Sequence, residues 1–436
     1  MKTQALSLLT IIVASIFSCT SNDDSDIQEV PQHSKPNILL IIADDMGLDA
    51  TPGYTVGNIK PNMPTLQGWM NSGIKFNNLW SNPTCSPTRG TIITGKYGFR
   101  TGVTEVGNVM STAQTSLQTY LDNTNSGYSH AVVGKWHIGG NDTSHPTNMG
   151  VGYYAGSLGG GVPSYTNWSL TENAQTNIST EYATTKYTDL AINWIDNQTQ
   201  PWFLWLAYNA AHTPFHLPPN DLHYQANLPS DQATIDANPL PYYLAMLEAM
   251  DTEMGRLIDS MSEEEKDNTV IIFIGDNGTP GQVAQEYNNN RVKGTLFQGG
   301  VNVPMVISGK NVSRINAIED ALINTTDLFA TISELAGNAI PQINDSRSFK
   351  ELLTSSDVDT RNYVYSERGE VGSQDYTIRN ATHKYISFNN GNERFYNLSQ
   401  DPLESTNLLN GNQLPLSTAD SAIKDELIAE LNIIRN

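Results

Sequence analysis

Six separated segments carry side chains suited to chemistry on an anion. Asp44-Asp45 follows the apolar run 37–43, and Asp276-Asn277 follows the apolar run 270–274. Oxygen donors of this kind suit hard cations such as Ca²⁺ or Mg²⁺. Either pair alone would more often be a polar turn, but two oxygen clusters at the ends of buried parallel strands can converge on one sheet edge, where α/β ligand sites form. Lys135 and His137 end another strand and share a side if the extended conformation continues. His212 closes the aromatic run 202–208, and Lys293 lies in the Gly-rich stretch 291–301. Cys85 has Arg89 four residues on. The chain's only other cysteine is Cys19, so once Cys19 is removed or modified Cys85 has no intramolecular disulfide partner. In an oxidising compartment such a thiol is a liability unless it is buried, used or modified.

The pentapeptide Cys85-Ser86-Pro87-Thr88-Arg89, followed by Thr94-Gly95, resembles the signature of the type I, formylglycine-dependent sulfatases of the alkaline phosphatase-like superfamily. Gly134-Lys135-Trp136-His137, the segment around His212 and Lys293-Gly294-Thr295 resemble that family's other motifs, in the expected order. Thr88, Ile93, Gln298 and Asn302 depart from its commonest residues. The resemblance runs from about Lys35 to the terminus and includes Phe395-Tyr396-Asn397-Leu398. It implies that a formylglycine-generating or anaerobic sulfatase-maturing enzyme oxidises Cys85 to 3-oxoalanine, whose hydrate attacks the sulfate ester. It further implies one Ca²⁺ held by Asp44, Asp45, Asp276, Asn277 and an oxygen of residue 85, with Arg89 fixing the diol. By the same resemblance Lys135 and Lys293 are the cations on the sulfate, and His137 takes the proton that drives sulfate elimination. His212 serves as general acid toward the leaving alcohol, and Asp276 helps activate the attacking hydroxyl.

These residues need a scaffold. At 436 residues the chain exceeds the size at which one core usually stops growing, which favours a large domain with a smaller appendage. Unbroken apolar runs at 36–43, 131–133, 202–208, 270–274 and 304–307 read as strands buried on both faces. They alternate with helical patterns, notably 185–195 and 241–261. The fold expected is α/β: a large, mostly parallel but mixed sheet sandwiched by helices, alkaline-phosphatase-like, with a smaller C-terminal α+β subdomain. Residues 1–18 read as a signal peptide and 19–35 as a tether. The catalytic domain is expected at 36–340, and 341–436 as a subdomain of short antiparallel strands closed by a helix at 419–433. Ile16-Phe17-Ser18-Cys19 resembles a lipobox, implying a bacterial periplasmic or cell-surface lipoprotein held to the membrane only through Cys19.

A formal charge of −21 argues against nucleic acid as a partner. The function that the resemblance implies is hydrolysis of a sulfate monoester, on a sulfated small molecule or, from compartment and family habit, by exo action on a sulfated glycan. The alternatives are a phosphomonoester or phosphonate monoester hydrolase of the same superfamily and a catalytically silent glycan-binding protein. With eight histidines, of which only His137 and His212 fall in matched motifs, a two-zinc site fits poorly. Segments 139–161, 216–228 and 281–291 are expected to wall the substrate pocket, with His145, Tyr165, His216, His223, Tyr287 and Arg291 as candidate sugar contacts.

Overall fold

Asn37–Ala43 (β1) is apolar through most of its length and buried at every position, as a strand with neighbours on both edges and helices on both faces must be. In the computed structural model, which describes residues Lys35–Asn436, it lies near the middle of an 11-stranded sheet. The other strands are Ile74–Trp80 (β2), Ser129–Gly134 (β3), Tyr153–Gly156 (β4), Trp168–Glu172 (β5), Gln175–Ser179 (β6), Trp202–Ala207 (β7), Thr269–Gly275 (β8), Asn302–Gly309 (β9), Ala317–Glu319 (β10) and Ile323–Asn324 (β11). The sheet order is β10-β2-β9-β8-β1-β7-β3-β4-β5-β6, with β11 also on β2. Neighbours from β8 to β4 run parallel, whereas β9 is antiparallel to both β2 and β8. Pro304 lies inside β9 where its register against β2 shifts between Phe76 and Leu79, the bulge position a proline needs within a sheet.

Alternation along β1 divides the core. Leu39 and Ile41 face a layer that includes Met246 and Met250 of the helix Leu240–Ser260 and Tyr187 of the helix Ala183–Ile195. Ile38, Leu40 and Ile42 face Ile92 and Ile93 of the helix Cys85–Thr94 and Phe329 and Ile332 of the helix Asp327–Leu335. The architecture is thus a mixed, largely parallel sheet between two helical layers. Both helices expected from periodicity are present within two residues of their expected ends.

After residue 340 the chain forms a four-stranded antiparallel sheet of Val364–Arg368, Asp375–Arg379, His383–Ser387 and Glu393–Asn397. The helix Thr418–Arg435 packs on it through Leu427 and Leu431. Val364, Ile386, Tyr396 and Leu398 join a cluster with Trp80, Leu296 and Val301, so the small sheet shares a core with the large one. The expected signal peptide, Cys19 and the expected tether up to Ser34 lie outside the described residues.

Candidate active site

Ala43 is paired with Gly275 where β1 and β8 end side by side, so the two oxygen clusters that follow meet. Asp45 turns the chain through a left-handed conformation (φ 62°), uncommon for a residue with a side chain. Its N–H donates to Asp276 Oδ1 at 3.2 Å, its carbonyl accepts from Tyr243 at 2.8 Å, and its Oδ1 accepts from Asn277 Nδ2 at 2.7 Å.

Cys85 opens the helix Cys85–Thr94, which is buried along its whole length. Thr84 caps it in an extended conformation, and Pro87 falls in the first turn, where a missing N–H is harmless. Cys85 Sγ lies 3.1 Å from His137 Nδ1, and one donor atom each of Asp44, Cys85 and Asp276 fall within 4.8 Å of one another. Arg89, four residues along, bridges two segments: Nη1 donates to the Lys135 carbonyl at 2.7 Å and Nη2 to Asp276 Oδ2 at 2.8 Å.

Lys135 and His137 reach the site by a different route from the one their spacing suggests. The extended conformation stops at Gly134 (φ 102°), and His137 is itself left-handed (φ 57°). The bend sends Trp136 away, its indole donating to His145 Nδ1 at 3.0 Å, and leaves Lys135 Nζ on Asp44 Oδ2 at 2.5 Å. Lys293 Nζ sits 2.6 Å from the Asp45 carboxylate. His212 donates from Nδ1 to the Thr213 carbonyl at 2.8 Å, which leaves Nε2 facing Asp45 Oδ2 at 4.0 Å. Every site residue expected from the sequence is therefore in one constellation.

Three carboxylates (Asp44, Asp45, Asp276) face three cations (Arg89, Lys135, Lys293). Burial alone would raise the Asp44 carboxyl, but Lys135, His212, Arg89 and Lys293 together hold it well below the usual range. Burial and the Asp44 charge push Asp276 up to about 6 against the pull of Arg89. Burial lowers His137 to about 3, helped by Lys135 and Arg89, so its ring is neutral and able to accept a proton. Burial pushes the Cys85 thiol up, with Lys135 opposing. An unmodified Cys85 is thus a protonated thiol and a poor nucleophile.

Asp44 Oδ1 and Asn277 Oδ1 are buried without a hydrogen-bond partner. Buried acceptors left unpaired cost about 1–3 kcal/mol each unless something binds them. With the neighbouring carboxylates they make an oxygen-rich donor set that fits a hard cation. Among the described residues the one group of three or more His, Cys, Asp or Glu side chains placed to hold a metal ion is Asp44, Cys85 and Asp276, which contains no histidine.

Several positioning residues have no motif to reveal them. Tyr165 and Tyr243 brace backbone carbonyls: the Tyr165 hydroxyl donates to those of Asn209 and His212 at 2.7 and 2.8 Å. Gly160 lies so close to His137 that a Cβ there would stand 2.3 Å from the ring, and one at Gly161 would stand 3.1 Å from the His212 ring. The Gly run itself was the available signal.

Some expected pocket contacts are corrected. His145 is 3% exposed and locked between Trp136 and the Met110 carbonyl, and Tyr165 is buried with its hydroxyl committed to backbone. Segment 139–161, expected as pocket wall, includes His145–Asn148 as a helix and β4. Arg291 donates to the Glu404 carbonyl.

A family model described as Sulfatase matches residues 36–338, and one described as N-sulphoglucosamine sulphohydrolase, C-terminal, matches 291–432. Arylsulfatase G of Rattus norvegicus is 25% identical over 77% of this chain and 72% of its own. The arylsulfatase of Klebsiella aerogenes is 24% identical over 70% and 88%. Among solved structures, Ps i-CgsB in complex with k-i-k-neocarrahexaose superposes with a TM-score of 0.76 at 24% identity, covering 92% of both chains. A second, in complex with D-glucosamine-2-N,6-O-disulfate, gives 0.75 at 20%, covering 92% of this chain and 98% of that one. The match over most of the described chain shows that the protein belongs to the sulfatase family of the alkaline phosphatase-like superfamily and is a sulfuric ester hydrolase.

Proposed function

We propose that the chain hydrolyses a sulfate monoester of a terminal sugar unit, with residue 85 acting in its 3-oxoalanine form. The observation that carries this reading is the place of Cys85: a buried thiol of raised pKa beside His137, Asp44 and Asp276. Its Sγ marks where the oxygens of the modified residue would project. The hydrated aldehyde supplies an attacking hydroxyl and, afterwards, a way to expel sulfate that a thiol lacks. A bound Ca²⁺, held by Asp44, Asp45, Asp276 and Asn277 with an oxygen of residue 85, would add positive charge against the sulfate oxygens.

The remaining work falls to the chain's own side chains. Asp276 takes the proton of the attacking hydroxyl. Lys135 and Lys293 hold the sulfate oxygens as charge builds on them. His212 delivers a proton from Nε2 to the leaving alcohol, oriented by its Nδ1 bond to Thr213. His137, neutral before reaction, takes the proton released as sulfate departs. Asp44 and Lys135 are both fully buried, which favours a chain-end group able to descend into the site. A carbohydrate substrate is supported by the sugars in complex with the two similar structures. Export and anchoring through a lipidated Cys19 belong to the same proposal.

The test is mass spectrometry of the tryptic peptide 76–89 from protein co-produced with a formylglycine-generating enzyme, paired with sulfate release from an aryl sulfate. Aldehyde or its hydrate at Cys85, with release lost in Cys85→Ala, is expected. An intact thiol in protein that still releases sulfate would sink the nucleophile assignment.

A further inference from the structure

A cavity of ≈580 Å³ opens beside the sulfate-handling residues. Thr84 and Gly294, the chain neighbours of Cys85 and Lys293, form part of its wall, together with Thr104, Glu105, Arg368 and Glu370. A second cavity, of ≈310 Å³, lies past Gly159 and Gly161, beside the two histidines. A leaving alcohol whose sulfate sits between Lys135 and Lys293 can extend toward either, and the wall of the larger includes the chain neighbours of Cys85 and Lys293.

Neither cavity offers a free cation. The smaller is lined by neutral side chains such as Asn141, Thr143 and Thr171. In the larger, the single cation Arg368 is already committed, to Asp375 Oδ2 at 3.0 Å and to the Gly294 carbonyl at 2.6 Å. Glu105 and Glu370 face the same space without an ion-pair partner among the described residues. Thr104 also lies on this wall, with its Oγ1 buried and unbonded. A second sulfate or a uronate carboxylate on the leaving sugar would meet the unpaired carboxylates of Glu105 and Glu370, with the one cation, Arg368, already paired to Asp375. The net charge of −21 adds long-range repulsion of polyanions.

We infer that this protein selects a leaving sugar that carries no anionic group besides the sulfate being removed, and that Glu105 and Glu370 enforce the selection by repelling a second one. The inference rests on the sulfatase reading and narrows its substrate class.

The experiment compares kcat/KM for hexose and N-acetylhexosamine monosulfates, one for each hydroxyl, with the matching disulfates, glucosamine-2-N,6-O-disulfate among them. An aryl sulfate serves as the general substrate. The cleaved monosulfate should exceed its disulfated counterpart by about tenfold or more, and raised ionic strength should narrow the gap. Glu105→Gln and Glu370→Gln should each shrink the ratio by about threefold, and both side chains are exposed, so the fold should tolerate either change. Disulfates cleaved as fast as monosulfates, or a ratio unmoved in both variants, would overturn the inference while aryl sulfate turnover leaves the sulfatase reading standing. No release from any substrate, aryl sulfate included, overturns both.

Discussion

Arg89 Nη2 and Asp276 Oδ2 lie 2.8 Å apart with neither side chain reached by solvent, and the other arm of the same guanidinium holds the Lys135 carbonyl. Arg89 therefore ties the strand end bearing Asp276 to the bend bearing Lys135 and His137, a task beyond its expected contact with residue 85. A lysine, whose donors all radiate from one nitrogen, lacks the planar fork whose separate arms span these two partners. Arg89→Met should cost about 3–5 kcal/mol by stranding a buried carboxylate, and Asp276→Asn in that background should return part of it. Urea melts of the two single variants and the double variant check this; strictly additive losses would mean that the pair is not coupled.

Asp44 and Asn277 each keep one buried oxygen unbonded, so cation removal should destabilise the fold. Chelation should lower the melting temperature, and Ca²⁺ at about a hundred times its Kd should restore some 2.7 kcal/mol. Asp44→Asn should lose most of this response. A melting temperature indifferent to chelator and to added Ca²⁺, in protein shown to be metal-loaded at the start, would remove the cation from the account.

Gly160→Ala places a methyl 2.3 Å from the His137 ring. The ring or the loop must move, and a shift of about 1 Å at a catalytic group can cost roughly 10²-fold in rate. The expected result is a large drop in kcat with KM for an aryl sulfate changed little. A kcat equal to that of the parent would show that the loop yields instead of the ring.

His216 packs against Tyr165 with ring centres 4.2 Å apart and bonds the Tyr182 hydroxyl at 3.1 Å. Burial lowers its pKa to about 4, against a partial lift from the Pro214 carbonyl. In the unfolded chain it titrates near 6.5. Between those values the unfolded chain binds a proton that the folded one refuses, so this contribution is complete above about pH 6.5 and is lost as pH falls toward 4. His137 adds a slope of the same sign over a window reaching about 3. Melting temperatures from pH 7 to 4 should fall less steeply in His216→Gln than in the parent, while an unchanged slope would acquit His216.

What the sequence disclosed follows from burial. β1 and β8 are covered on both faces, so they stand out as apolar runs. β2 was not legible, because Lys75, Asn77 and Asn78 interrupt it around the bulge opposite Pro304. The hairpin β5–β6 escaped because β6 is exposed at four of its five positions. At the site, residues that act through charge or nucleophilicity sit in compact motifs and were legible. Tyr165 and Tyr243 act by bracing carbonyls, a task an isolated tyrosine does not mark, while Gly160 acts by leaving room and was signalled only by the Gly run around it. The left-handed bend at His137 was equally hidden, since spacing alone favoured a continued strand.

The helix that begins at Cys85 is sealed, with Cys85 at 2% exposure, Ser86, Thr88 and Arg89 at none, and Pro87 buried among them. No second protein can read that pentapeptide once the helix has packed against the sheet. If Cys85 is matured as proposed, the order of events is fixed at birth: oxidation must act on the nascent or still unfolded polypeptide, and folding then closes the door behind it. Protein made without its maturing partner would be well folded yet beyond later repair, so activity per molecule would record a race between modification and collapse.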